Sequence, residues 1–254
     1  ARLSARGVSF QQAAVERIDT ATQRVATSLG LLHYDALIVA LGADTDPASV
    51  PGLPPQANLY HAAAVPALRD KLAAMKSGRI GILICRSPYK CPPAPFEAAL
   101  LVDALLTRRG VRAKFEIAVY VPDERPMMVA GKAAGDLVRK AVEVRNIHVA
   151  INHKIEAVEK GGRELRFANG LTEKCDLLLA VPPHVAPAAL RDSGLLDAAG
   201  WIPVDPATTA TAVAGIWAVG DTAAVPLPGG GFLPKAGVMA HAQGLVAGAR
   251  AVAH

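Results

Sequence analysis

Gly30-Leu31-Leu32-His33-Tyr34-Asp35-Ala36-Leu37-Ile38-Val39-Ala40 reads like Gly170-Leu171-Thr172-Glu173-Lys174-Cys175-Asp176-Leu177-Leu178-Leu179-Ala180. Each is a polar turn, an aspartate and then an unbroken apolar run of the kind that fills a buried strand. Short alternating segments precede both. In the first copy these are Val8-Ser9-Phe10 and Val15-Glu16-Arg17-Ile18. In the second they are Val149-Ala150-Ile151 and Ile155-Glu156-Ala157-Val158. The register pairs residue 8 with about residue 149, so the chain contains one strand pattern twice.

The second copy carries more in front of its meander. Arg79 to Cys85 predicts a buried strand, Ala98 to Arg109 a helix stopped by Gly110, Glu116 to Val121 a second strand and Gly135 to Val144 a second helix. With the strand near Val149 this is βαβαβ, one half of a Rossmann fold. The first copy shows only the tail of such a unit, so symmetry predicts about 70 to 80 further residues before Ala1, carrying a first dinucleotide fingerprint. The fold class expected is α/β with two Rossmann-like three-layer domains, the first discontinuous and N-terminally truncated. Pro47 to Pro55 and Pro182 to Pro187 mark the crossings. The expected domains are residues 1–72 for the remainder of the first, 73–184 for the insert and 185–254 for the return.

Composition agrees with that class. Hydrophobic residues make up 52% of the 254 and charged residues 19%, enough for a large core. The net charge of +5 is dispersed over helix-like stretches such as Arg108-Arg109 and Arg139-Lys140, which reads as solvated faces and excludes a nucleic-acid partner. Three cysteines do not make a secreted disulfide framework. No apolar run reaches the roughly 18 residues of a membrane helix. The expected location is cytoplasmic, with peripheral membrane contact open. No His, Cys or Asp spacing suggests a metal site.

Gly215 to Thr222 reads as a strand closing on Gly220-Asp221-Thr222. A carboxylate at a strand's C-terminal end can accept a hydrogen bond from a ribityl hydroxyl, and the glycine lets backbone approach closely. Pro234-Lys235-Ala236-Gly237 then reads as a helix start. Its free N–H groups, its dipole and the Lys235 ammonium suit an electron-rich ring edge. A simple turn remains the alternative for Gly-Asp alone.

Tyr34-Asp35-Ala36-Leu37-Ile38-Val39-Ala40-Leu41-Gly42-Ala43 resembles the first-domain strand of the pyridine nucleotide-disulfide oxidoreductase superfamily, with Leu41 where that family usually has Thr. Gly215 to Asp221 resembles its second FAD motif. The resemblance implies FAD, held by Gly42, Gly220, Asp221, Thr222, Lys235, Ala236 and Gly237.

The inserted domain narrows the branch. An NAD(P)H-binding turn needs glycines, but Cys85-Arg86-Ser87-Pro88-Tyr89-Lys90-Cys91-Pro92-Pro93-Ala94-Pro95-Phe96-Glu97 has none. Its four prolines offer no N–H to a pyrophosphate. The Lys90 to Glu97 string is similar to the cysteine turn of sulfide:quinone oxidoreductases and flavocytochrome c sulfide dehydrogenases. That similarity implies electrons passing from sulfide, or a related small reductant, through FAD to a quinone or cytochrome. It makes Cys91 the catalytic sulfur carrier and Lys235 the cation for the reduced ring. The family usually pairs that cysteine with a downstream one, and residues 222 to 254 contain none. Cys85 reads as a core cysteine or a partner of Cys91, and Cys175 as structural. His184 and His241 are candidate proton shuttles, and Gly229-Gly230-Gly231 a loop that could admit a quinone beside Phe232. Two rival readings stand: an NADH:quinone oxidoreductase of the same superfamily, and a catalytically silent module that holds no flavin.

Overall fold

The computed structural model describes residues 4–254. They form two compact units: residues 4–42, 186–228 and 241–254 in the first, and 43–185 with 229–240 in the second.

In the second unit, β6 (Gly78–Ile84), β7 (Phe115–Tyr120), β8 (Ile147–Ala150) and β12 (Leu177–Val181) make a parallel sheet in the order β12-β6-β7-β8. Consecutive residues of a strand point to opposite faces. Ile80, Ile82, Ile84, Ile117 and Val119 therefore face one way, onto α1 (Val65–Ala74), α2 (Ala94–Arg108) and α3 (Lys132–Glu143) through Leu68, Phe96, Leu106 and Val142. Leu83, Ala118 and Tyr120 face the other way. They pack on a meander of β9 (Ile155–Glu159), β10 (Glu164–Phe167) and β11 (Thr172–Lys174) through Val158, Leu165 and Phe167. Helices, parallel sheet and meander are the three layers expected of the insert. Burying a side chain of this size contributes roughly 1.5–3 kcal/mol, so two dry cores against one sheet hold it firmly.

The first unit repeats the meander. Its β1 (Val15–Asp19), β2 (Arg24–Thr27) and β3 (Gly30–His33) pair antiparallel in chain order. β4 (Leu37–Val39) follows, as β12 follows β11. The starts of β1, β2 and β4 and of β9, β10 and β12 fall at 15 and 155, 24 and 164, and 37 and 177, a constant offset. The repeat seen in the sequence is real.

Two expectations need correction. Val8-Ser9-Phe10 forms no strand, and Val8 and Phe10 are exposed. Its counterpart β8 is a strand because β7 pairs with it from Ile117↔Ile147 to Tyr120↔Ala150. Alternation without a ladder partner does not make a strand. Helix α2 also begins at Ala94, four residues earlier than Ala98, with Pro93 at its cap and Pro95 in its first turn. Proline is tolerated there because the first N–H groups of a helix have no intrahelical acceptor.

Candidate functional site

In the second unit, β6 ends at Ile84 and the chain crosses the proline turn to α2. The Cys85 N–H still reaches the Val181 carbonyl at 3.0 Å. Cys91 follows with a φ of 50°. A left-handed conformation costs a residue with a side chain of order 1–3 kcal/mol, so it must be held. Three bonds hold it. The Cys91 N–H donates to the Lys235 carbonyl at 2.7 Å, and its own carbonyl accepts from Ala94 N–H at 2.9 Å and from the Tyr60 hydroxyl at 3.3 Å. The result is an exposed thiol just ahead of α2.

Lys90 donates its ammonium to the Ala43 carbonyl at 2.7 Å, and Lys235 is buried at 8% exposure. The structure thus brings together Cys91 and Lys235, the two catalytic candidates, through a backbone bond. Tyr60 was not legible as a site residue. It donates to the carbonyls of both Lys90 and Cys91, and its own N–H is fixed by Asn58 Oδ1 at 2.9 Å. No motif marks a tyrosine thirty residues away in sequence. His184, on β13 (His184–Val185) against β5 (Asp44–Thr45), lies edge-on to the Tyr60 ring at 5.1 Å between centroids. Burial first, then the ammonium of Lys90 and that of Lys235, push the imidazole down to about 4, so it is neutral at pH 7.

The turn has little to offer a pyrophosphate. Four of its residues lack an N–H. Those of Cys91, Ala94, Phe96 and Glu97 are spent on the carbonyls of Lys235, Cys91, Pro93 and Pro93.

The other cysteines are inert. All three are free thiols, so Cys85 does not pair with Cys91. Cys85 is buried in the core, which pushes its thiol up to about 12. Cys175 is also buried, its thiol raised to about 11, and donates to the Gly162 carbonyl at 3.3 Å.

In the first unit, β4 and β15 (Ile216–Ala218) pair in parallel, Leu37↔Ile216 to Val39↔Ala218. Both then turn through a glycine at φ 72°, Gly42 and Gly220. Ligands of open α/β sheets lie outside such carboxyl ends. Gly42 has nothing within 4 Å of the position a Cβ would take. The Gly220 N–H is held by Gln243 Oε1 at 2.6 Å, and Thr222 is wholly buried with its hydroxyl unbonded. The open turn at Gly42, together with the Asp221 carboxylate and the unsatisfied Thr222 hydroxyl, fits the polar chain of a flavin nucleotide. Helix α4 (Gly237–Val252) begins at Gly237, after Pro234-Lys235-Ala236. His241 is exposed. Gly230 and Gly231 form a turn with positive φ before the exposed Phe232. Among the described residues no cluster could hold a metal ion, and no helix is long and apolar enough to cross a membrane.

Doubled meanders and parallel strand ends with glycine turns define a fold of the two-dinucleotide-domain type. Residues 65–182 match the family model for the central part of the sulfide dehydrogenase [flavocytochrome c] flavoprotein chain. The mitochondrial sulfide:quinone oxidoreductase of Mus musculus is 26% identical over 215 residues, covering 80% of this chain and 47% of that protein. The chain spans about half the length of this curated relative. The sulfide:quinone oxidoreductase structure from Aquifex aeolicus superposes with a TM-score of 0.81 at 22% identity, over 99% of this chain and 62% of that one. A ferredoxin reductase from Rhodopseudomonas palustris gives 0.73 at 18% identity, over 98% and 60%. Fold and central sequence liken this chain to sulfide:quinone oxidoreductases and to the flavocytochrome c sulfide dehydrogenase flavoprotein chain.

Proposed function

We propose that the parent activity is oxidation of sulfide, or a related small sulfur reductant, with electrons passing by way of FAD to a quinone or cytochrome. The observation that carries this reading is the exposed Cys91, clamped in a left-handed conformation ahead of α2 by the Lys235 carbonyl and the Tyr60 hydroxyl. The thiolate is the form of a cysteine that attacks or carries sulfur. Cys91 joins hydrosulfide through a new S–S bond, and the hydrosulfide gives up its proton. When bound, the flavin supplies the two-electron acceptor that this bond formation needs. Gly42, Gly220, Asp221 and Thr222 hold its nucleotide chain. Lys235, with Ala236 and Gly237 leading into α4, balances negative charge on the reduced ring. The family match over 65–182 supports an insert at 73–184 between 1–72 and 185–254. A quinone acceptor would bring peripheral contact with a membrane.

The test is anaerobic mixing of the FAD-loaded protein with hydrosulfide and, separately, with NADH. Hydrosulfide is expected to bleach the flavin, and NADH is not, because the proline turn gives its pyrophosphate few N–H groups. Bleaching by NADH and none by hydrosulfide would establish the NADH:quinone reading instead. A purified protein that retains no yellow colour in added FAD would support the silent module.

A further inference from the structure

Of the three hydrogen bonds that hold Cys91 at a φ of 50°, two join backbone groups. The third comes from a side chain, the Tyr60 hydroxyl. That hydroxyl shares its hydrogen between the Lys90 carbonyl at 2.8 Å and the Cys91 carbonyl at 3.3 Å. These two carbonyls belong to the two peptide planes that meet at the Cys91 α-carbon. The angle φ turns one plane about that atom and ψ turns the other. A single donor bonded to both oxygens therefore constrains both angles, and with them the direction in which the Cα–Cβ bond carries the thiol. A residue with a side chain would otherwise relax toward negative φ.

Tyr60 is itself well held. Its N–H donates to Asn58 Oδ1 at 2.9 Å, and the buried Asn58 donates its Nδ2 to Thr45 Oγ1 at 2.8 Å. Between them, the Leu59 N–H donates to the Ala180 carbonyl of β12 at 2.8 Å. The Tyr60 ring stands edge-on to His184. The clamp on Cys91 is thus anchored on the parallel sheet, a rigid support of the kind that fixes a reacting group.

We propose that Tyr60 is a positioning residue for the sulfur chemistry, its hydroxyl fixing the aim of the Cys91 thiol. This rests on the sulfur-oxidising reading above and adds a residue that acts through Cys91. A split follows. A small reagent that needs only an accessible thiol is indifferent to its aim. A reaction that must bring the thiol, hydrosulfide and the flavin together is not, and misplacing a reacting group by about 1 Å can cost ~10²-fold.

The test compares the full chain with Y60F, which removes one oxygen and keeps the ring. In flavin-free protein, alkylation of Cys91 by iodoacetamide is expected to keep its rate and its pH midpoint. In FAD-loaded protein, bleaching at saturating hydrosulfide should slow about tenfold or more, with the half-saturating concentration unchanged. Replacing Tyr60 by p-aminophenylalanine, a weaker donor from the same place, should fall between the two, and this graded order serves if Y60F does not fold. Carbon NMR of chain labelled at the α-carbons of its three cysteines reads the backbone directly. The Cys91 line, assigned by its loss in Cys91→Ser, should move in Y60F while those of Cys85 and Cys175 stay. Equal bleaching in Y60F, or an unmoved Cys91 line, overturns the proposal. So does an equal slowing of alkylation and bleaching, which would make Tyr60 govern the thiolate or its access. If hydrosulfide bleaches not even the unaltered protein, the sulfur-oxidising reading falls, while a moved Cys91 line upholds the clamp and an unmoved one removes it.

Discussion

Strand ends in this chain use their backbone in two opposite ways. After β15 the chain turns through Gly220 at φ 72°, and after β4, its parallel neighbour, through Gly42 at the same φ. After β6 it turns instead through Pro88, Pro92, Pro93 and Pro95, and the residue with positive φ is a cysteine. The glycine turn at Gly42 leaves open space where a side chain would stand. The proline turn removes N–H donors and spends strain on displaying a thiol. Both sit at the carboxyl ends of parallel strands, where ligands of such sheets bind, so the composition of the turn decides which chemistry the position serves.

The sharpest stability contrast should lie in the proline-turn neighbourhood. The unfolded His184 titrates near 6.5 and the folded one near 4, because it is buried and faces two ammoniums. Between those values the unfolded chain binds more protons, so stability is fully present above pH 6.5 and is lost as pH falls toward 4. Urea unfolding should show a loss approaching roughly 3 kcal/mol across that window, absent from H184F. Equal acid sensitivity in the two proteins would mean that His184 is not held neutral there.

A smaller effect tests the glycine side. Thr222 buries an unbonded hydroxyl next to Gly220-Asp221. Thr222→Val should stabilise the flavin-free protein by about 1 kcal/mol while weakening flavin retention. If the variant is no more stable, the hydroxyl has a partner in solution. If it is more stable but retains flavin fully, Thr222 takes no part in holding it.

Much of this architecture was legible in the sequence. The constant offset between β1, β2, β4 and β9, β10, β12 follows from apolar runs behind Asp35 and Asp176, because buried strands need such runs wherever they occur. The strand expected at Val8-Ser9-Phe10 was not realised, since a strand depends on a neighbour's ladder and local alternation carries no news of one. The onset of α2 was placed late because prolines read as turn, although the first helical turn accepts them. Cys91, Lys235, Gly42 and Gly220 could be named from local motifs. Tyr60 could not, because it meets Cys91 only through the fold.

The central claim is that Cys91 itself takes sulfur. The most direct measurement is the mass of the peptide containing Cys91 after the FAD-loaded protein has reacted once with hydrosulfide, with no electron acceptor present. The account predicts one added sulfur atom on Cys91, with Cys85 and Cys175 unchanged. It also predicts that Cys91→Ser bleaches the flavin at least about 10³-fold more slowly, the scale of losing a nucleophile. An unmodified Cys91 in protein whose flavin has been fully reduced by hydrosulfide, together with an equally fast Cys91→Ser variant, would contradict it.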